Sequence, residues 1–272
     1  MLIHNALNNS SPLVLHINGE GSQENMLNLN KFKGFNKNFT DLIVDSYEIV
    51  CPLDLTIITF ATEQIVDNCP LIKQLNAHNV PFVNLCSFYE DKWYEWNNLK
   101  KIEYLKNYLN GGNVKTKYVI VLDAIDILLA QDFSNIVNRF ENHNVDVLYS
   151  ATRSNFPRNG EFGYSFEIEK ETSSHFKFLN AGCVIAKVDA LSTFVTRCYD
   201  DIDLILNPIK SEQFEIRKSF NKNYVELNMG YDVDTNIFLT VGSFLRPGTS
   251  LAYDLKEVDS YLIFEIFRKV KV

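Results

Sequence analysis

The chain has 272 residues, 46% of them apolar and 13% aromatic, enough to bury a large core in one α/β domain or two small ones. Its net charge of −8 comes with no basic stripe, so nucleic acid and anionic membrane surfaces are poor candidate partners. No apolar run approaches the roughly 18 residues of a membrane helix, and the N-terminus lacks the basic and apolar regions of a signal peptide. Five cysteines without a Cys-x-x-Cys pair suit free thiols in a reducing compartment, and cytoplasmic placement is expected.

Residues 1–12 are polar and irregular. Pro12–His16 reads as a short strand, Ile17–Gly21 as a turn, and 22–40 as a helix fragment followed by loop. A connector over 41–53 leads to a strand at Leu55–Phe60. Pro70 suits the first turn of a helix through Leu71, Ile72 and Leu75, and Pro81–Leu85 is the next strand. Trp96, Leu99, Ile102, Leu105 and Leu109 recur at helical spacing, which predicts an amphipathic helix over 94–109, ending at Gly111-Gly112.

The apolar run that follows, with Val119, Ile120 and Val121 β-branched, reads as a strand buried on both faces. It ends in Asp123 and Asp126. Ligands of open α/β sheets gather outside the carboxyl ends of strands, so this pair emerges where chemistry is expected. A helix near 132–142, a strand at Val145–Tyr149, a long aperiodic loop over 152–177, a strand at 183–188 and helices at 189–204 and from Ser211 come next. Residues 223–272 read as short strands and a hairpin. Alternating strands and helices argue for a mostly parallel sheet flanked by helices. No repeat or linker divides the chain, so a single domain is expected.

Two Asp at i and i+3 across a strand end can face one point and hold a hard divalent cation together with substrate phosphates. A phosphatase of the haloacid-dehalogenase type needs acids at i and i+2, and that position is Ile125.

The blocks around this pair resemble the GT-A glycosyltransferases, most closely the glycosyltransferase domain of the multifunctional procollagen lysyl hydroxylases. Ile58-Thr-Phe-Ala-Thr-Glu63 is similar to the first strand and turn, Lys101–Leu109 to the lysine-bearing helix, and Leu122-Asp123-Ala-Ile-Asp126 to the metal-binding D-x-x-D. Tyr149–Ala151 and Pro157 resemble the next strand and its Trp-Pro loop, with Phe156 in the place of Trp. Phe178-Leu-Asn180-Ala-Gly182 resembles the "FLNSG" block and Ser211-Glu212-Gln213-Phe214 the "DDQLF" block, with Ser211 in the place of its first acid.

The resemblance implies a GT-A, Rossmann-like fold and transfer of a hexose from a UDP-sugar to a glycan, protein or small-molecule acceptor, with Mn²⁺ (or Mg²⁺) held by Asp123 and Asp126. Thr59, Ala61, Thr62 and Glu63 would contact base and ribose, Lys101 would offset phosphate charge, and Asn180 and Gly182 would lie by the donor sugar. Glu212 and Gln213 would face donor and acceptor as base or orienting groups. Arg153, Phe156, Arg158, Phe162 and Tyr164 suit an acceptor lid. A third metal ligand, a histidine in the family's C-terminal H-G-N-G-P block, has no counterpart after Asp234. His16-Ile-Asn18-Gly19 matches it instead. This implies a circular permutation in which 1–30 corresponds to the family's C-terminal segment, 31–54 is a connector, and 55–272 forms the nucleotide-sugar-binding core and acceptor half. Asn18 and Gly19 would then approach the pyrophosphate, and Val272 would lie near the first residues. The histidine could also serve a swapped neighbour in a homo-oligomer. A nucleotidyltransferase, which shares the acid–metal–phosphate logic, and a catalytically silent nucleotide- or sugar-binding module are the alternatives.

Overall fold

A computed structural model describes residues 10–16, 49–129, 132–153, 155–156 and 174–240. In chain order its elements are β1 (Val14–His16), β2 (Leu55–Phe60), α1 (Pro70–Ala77), β3 (Val83–Asn84), α2 (Leu85–Phe88), α3 (Leu99–Asn110), β4 (Tyr118–Asp123) and β5 (Ile127–Leu129). There follow α4 (Ile136–Glu141), β6 (Val147–Thr152), β7 (Phe178–Lys187), α5 (Val188–Asp200), α6 (Glu212–Asn223), β8 (Met229–Asp232) and β9 (Phe238–Thr240). The expected helix fragment at 22–40, most of the loop 152–177, and the chain beyond 240 lie outside the described residues.

Six strands form one sheet in the order β3-β2-β4-β7-β6-β8. Its β3–β2, β2–β4 and β6–β8 pairs are parallel, and β7 runs antiparallel to both neighbours. The sheet is therefore mostly parallel, as the alternating pattern implies. Along β4 the side chains divide by parity. Val119 and Val121 join a core with α3, α5 and α6, whereas Ile120 and Leu122 join a second core with α1 and α4. Burial on both faces is why this strand carries no polar alternation.

A smaller sheet, β5-β1-β9, places β1 antiparallel to β5 and parallel to β9. The sequence reading does not contain β5, since three residues directly after an acid pair are too short for a periodic signal. In the described part of 223–272, β8 pairs with β6 and β9 with β1; the rest of the stretch in which a hairpin is expected lies outside the described residues. Asp232 causes the divergence. Its buried carboxylate accepts from the backbone N–H of Asn236 (2.9 Å), Ile237 (2.7 Å) and Phe238 (2.9 Å), turning the chain away from β8. Several boundaries also shift. The helix expected from 94 starts at Leu99, behind a 3₁₀ turn at Trp93–Glu95, and the strand expected at 183–188 begins at Phe178.

Candidate active site

Strand polarity gathers the candidate residues. Asp123 ends β4 beside Phe60, the end of the parallel β2. Because β7 is antiparallel and pairs Cys183 with Leu122, its N-terminal part brings Gly182 to the same end. Asp126 lies one residue before β5, whose Ile127 is paired with His16. The short sheet thus carries His16 to Asp126 across more than a hundred residues of sequence.

His16 is 1% exposed, and its Nε2 lies 3.4 Å from Asp126 Oδ2. Neither ring nitrogen has a hydrogen-bond partner, nor does Asp126 Oδ1. Buried polar atoms left in this way cost free energy unless something else satisfies them. One ligand atom each from His16, Asp123 and Asp126 falls within 4.8 Å of the others. Two carboxylates and an imidazole fit a divalent cation such as Mn²⁺. Burial opposes protonation of His16, but the carboxylates of Asp126 and Asp123 outweigh it and hold the imidazole pKa above its ordinary value.

Gly182 supplies the space. A Cβ there would meet His16 Cε1 at 2.3 Å, His16 Nε2 at 2.8 Å and Asp123 Oδ2 at 2.9 Å. Its φ is not positive, so the constraint is clearance rather than backbone conformation.

Lys101 of α3 joins Asp123 to α6. Its ammonium lies 2.5 Å from Asp123 Oδ1 and 2.9 Å from Glu212 Oε2. A lysine on an amphipathic helix is ordinarily solvated, yet this one is 14% exposed. Burial lowers its pKa, but Asp123 and Glu212 more than offset that and keep the ammonium charged. Burial pushes the Glu212 carboxyl up to about 7 against the pull of Lys101. Glu212 opens α6 behind Ser211, the N-cap, whose Oγ accepts from Phe214 N–H at 3.3 Å.

Gln213 borders the same cleft as Glu212 but is held by backbone groups. Its Oε1 accepts from Ala181 N–H at 2.7 Å and its Nε2 donates to Leu179 C=O at 2.6 Å, fastening α6 to the start of β7. Asn180 Oδ1 accepts from Gly182 N–H at 3.0 Å and from Ser150 Oγ at 3.1 Å. These amides shape the backbone around Gly182.

His16, Lys101, Asp123, Asn180, Gly182, Glu212 and Gln213 border a cleft of about 210 Å³, together with Asn98, Thr152 and Phe156 among others. A second recess of about 310 Å³ opens on the far side of Lys101 and Asp123, between Phe60, Thr62, Gln64, Ile65 and Trp96 and along Ala124–Asp126. Thr62 therefore lines the site. Thr59 and Ala61 do not: the Thr59 hydroxyl donates to Leu122 C=O at 2.8 Å, and both backbone polar atoms of Ala61 bond to the Asn84 amide. Glu63 is exposed and borders neither space. Asn18, Gly19, Arg158, Phe162, Tyr164 and Val272 lie outside the described residues. Sequence reasoning missed Trp96, Asn98, Gln64 and Asn84. Its spacing places Trp96 in the expected helix, whereas it precedes that helix and lines the recess. Asn84 carries a signal in retrospect, as the polar residue closing the strand Pro81–Leu85.

The family model described as the PLOD GT domain matches residues 52–247. The chain belongs to the PLOD GT domain family. This is the glycosyltransferase domain of procollagen lysyl hydroxylases, and its match spans Lys101, Asp123, Asp126, Asn180, Gly182, Glu212 and Gln213. His16, 1% exposed, lies before the matched range. No curated protein matches the chain. A transferase of this family works on a nucleotide-sugar donor and an acceptor. Among the described residues no helix is long and apolar enough to cross a membrane.

Proposed function

We propose that this PLOD GT domain is a cation-dependent hexosyltransferase that uses a UDP-sugar. The observation that carries the reading is the set of unsatisfied buried atoms on His16 and Asp126, converging with Asp123 beside a glycine that leaves room for them. Asp123, Asp126 and His16 would hold Mn²⁺, which when bound neutralises charge on the donor diphosphate and its leaving group. Lys101 adds a second positive charge at the junction of the two spaces. The recess between Phe60, Ile65 and Trp96 suits a flat base, with Thr62 and Gln64 as polar partners. With its Oδ1 committed to Gly182 and Ser150, Asn180 has its NH₂ left for a sugar hydroxyl.

Glu212 is the carboxylate assigned to the acceptor. It borders the polar cleft, and a pKa of about 7 matches a group that takes a proton near neutrality. Gln213, both of whose amide ends hold β7, is a positioning residue rather than a catalytic one. Ser211, in place of an acid, serves as the helix cap, so Glu212 is the one carboxylate that this block presents to the cleft.

The order of the chain is part of the reading. We infer a circular permutation in which the segment holding His16 corresponds to the family's C-terminal strand. It is supported by the seating of β1 between β5 and β9 and by the start of the family match at residue 52. The test of function is calorimetric titration of UDP with and without Mn²⁺, on the wild type and Asp123→Ala. The cation should strengthen UDP binding at least tenfold, about 1.4 kcal/mol, in the wild type alone. Equal affinities in all four titrations would refute the cation bridge.

A further inference from the structure

We propose that Lys101 is a positioning residue that couples occupancy of the cation site to Glu212, although Glu212 is not itself a ligand. The inference rests on the His16–Asp123–Asp126 reading above. Its basis is the division of one ammonium between two carboxylates from different elements, Asp123 at the end of β4 and Glu212 at the start of α6.

The Asp123 carboxylate is divided in turn. Oδ1 faces Lys101, while Oδ2 and His16 Nε2 lie within 2.9 Å of the same point above Gly182. One oxygen is thus held from behind while the other is presented to the cation, as outer partners do for metal ligands generally. Lys101 borders both the polar cleft and the apolar recess and is 14% exposed, so water replaces little of either ion pair. A cation drawing charge from Asp123 weakens its attraction for Lys101 and leaves the ammonium to Glu212. Conversely, a neutral group at 212 leaves Lys101 to Asp123 alone, where it competes with the cation. Coupling free energies are reciprocal, so cation binding must hold Glu212 more firmly by the same factor. A cation-loaded site would thereby fix the carboxylate that faces the acceptor before the acceptor arrives.

The test is a double-mutant cycle read by Mn²⁺ binding alone, with free Mn²⁺ counted by electron paramagnetic resonance and no donor or acceptor present. Wild type, Glu212→Gln, Lys101→Met and the double variant are compared after thermal melts show each to be folded. Lys101→Gln replaces Lys101→Met in the cycle should the latter fail to fold. Glu212→Gln should weaken Mn²⁺ binding roughly fivefold in the presence of Lys101 and by less than about twofold in its absence, within the range of coupling seen for contacting residues. An unchanged affinity in Glu212→Gln, or the same loss in both backgrounds, overturns the coupling while leaving the cation site standing. No Mn²⁺ binding by the wild type overturns the cation site itself.

Discussion

Replacing Gly182 by Ala is the sharpest test of how the three candidate ligands are packed. The new methyl would lie 2.3 Å from His16 Cε1, whereas ordinary contacts begin at about 3.4 Å, so the ring must retreat by about 1.1 Å (3.4 − 2.3). Strand β7 is held close by, through the pairing of Cys183 with Leu122 and the bond from Gly182 N–H to Asn180 Oδ1, so the imidazole is the group that has to move. His16 is 1% exposed and has little room behind it. Overpacking of this kind costs about 1–3 kcal/mol, a few degrees in Tm for a domain of this size. The effect on the cation should be larger than that on stability. Ligand distances tolerate about 0.2 Å, so a shift of about 1 Å should remove His16 from coordination and weaken Mn²⁺ binding roughly 10–100-fold. Calorimetric Mn²⁺ titration with thermal melts reads both quantities. A folded Gly182→Ala protein binding Mn²⁺ within twofold of the wild type would refute the packing argument.

Three further outcomes follow from the same geometry. Asp232→Ala leaves the N–H groups of Asn236, Ile237 and Phe238 without their acceptor; at about 1 kcal/mol or more each it should cost roughly 3 kcal/mol and lower Tm by roughly 6–12 °C in a calorimetric melt. Asn84→Ala frees both backbone polar atoms of Ala61 beside the recess, and should weaken UDP binding several-fold while Mn²⁺ binding without nucleotide stays unchanged; a parallel loss of both would place Asn84 in the general scaffold. Gln213→Ala removes the clasp on Leu179 and Ala181, and should lower kcat about tenfold or more with Mn²⁺ affinity near the wild-type value, read by UDP release. Unchanged kcat would show that the clasp is dispensable.

The strand ending in Asp123 was legible because burial on both faces leaves an unbroken apolar run, and its acids stand out at the end. Lys101 was far less legible. Its surroundings in sequence are those of a solvated helix lysine, and only the packing of α3 against the ends of β4 and α6 surrounds it with carboxylates. Thr59 erred in the opposite direction: a hydroxyl near a strand end suggests a ligand, but here it bonds the neighbouring strand. The separate paths of β8 and β9 were hidden because one buried aspartate, rather than any periodic pattern, redirects the chain between them. His16 could be read only through the Asn-Gly that follows it, since a lone histidine on a short strand carries no periodic signal.

Strand β1 is three residues long, yet it fills the gap between β5 and β9 and buries Val14, Leu15 and His16 almost completely, with Leu13 just before it. A chain cut at the start of the family match would keep every acid at the candidate site but expose a slot with backbone donors and acceptors on both walls. A peptide carrying Ser10–His16 is complementary to that slot by register and by side chain. The histidine and the acids thus belong to segments joined by strand pairing, and a fragment pair divided there tests whether the candidate cation site can be completed by a short added strand.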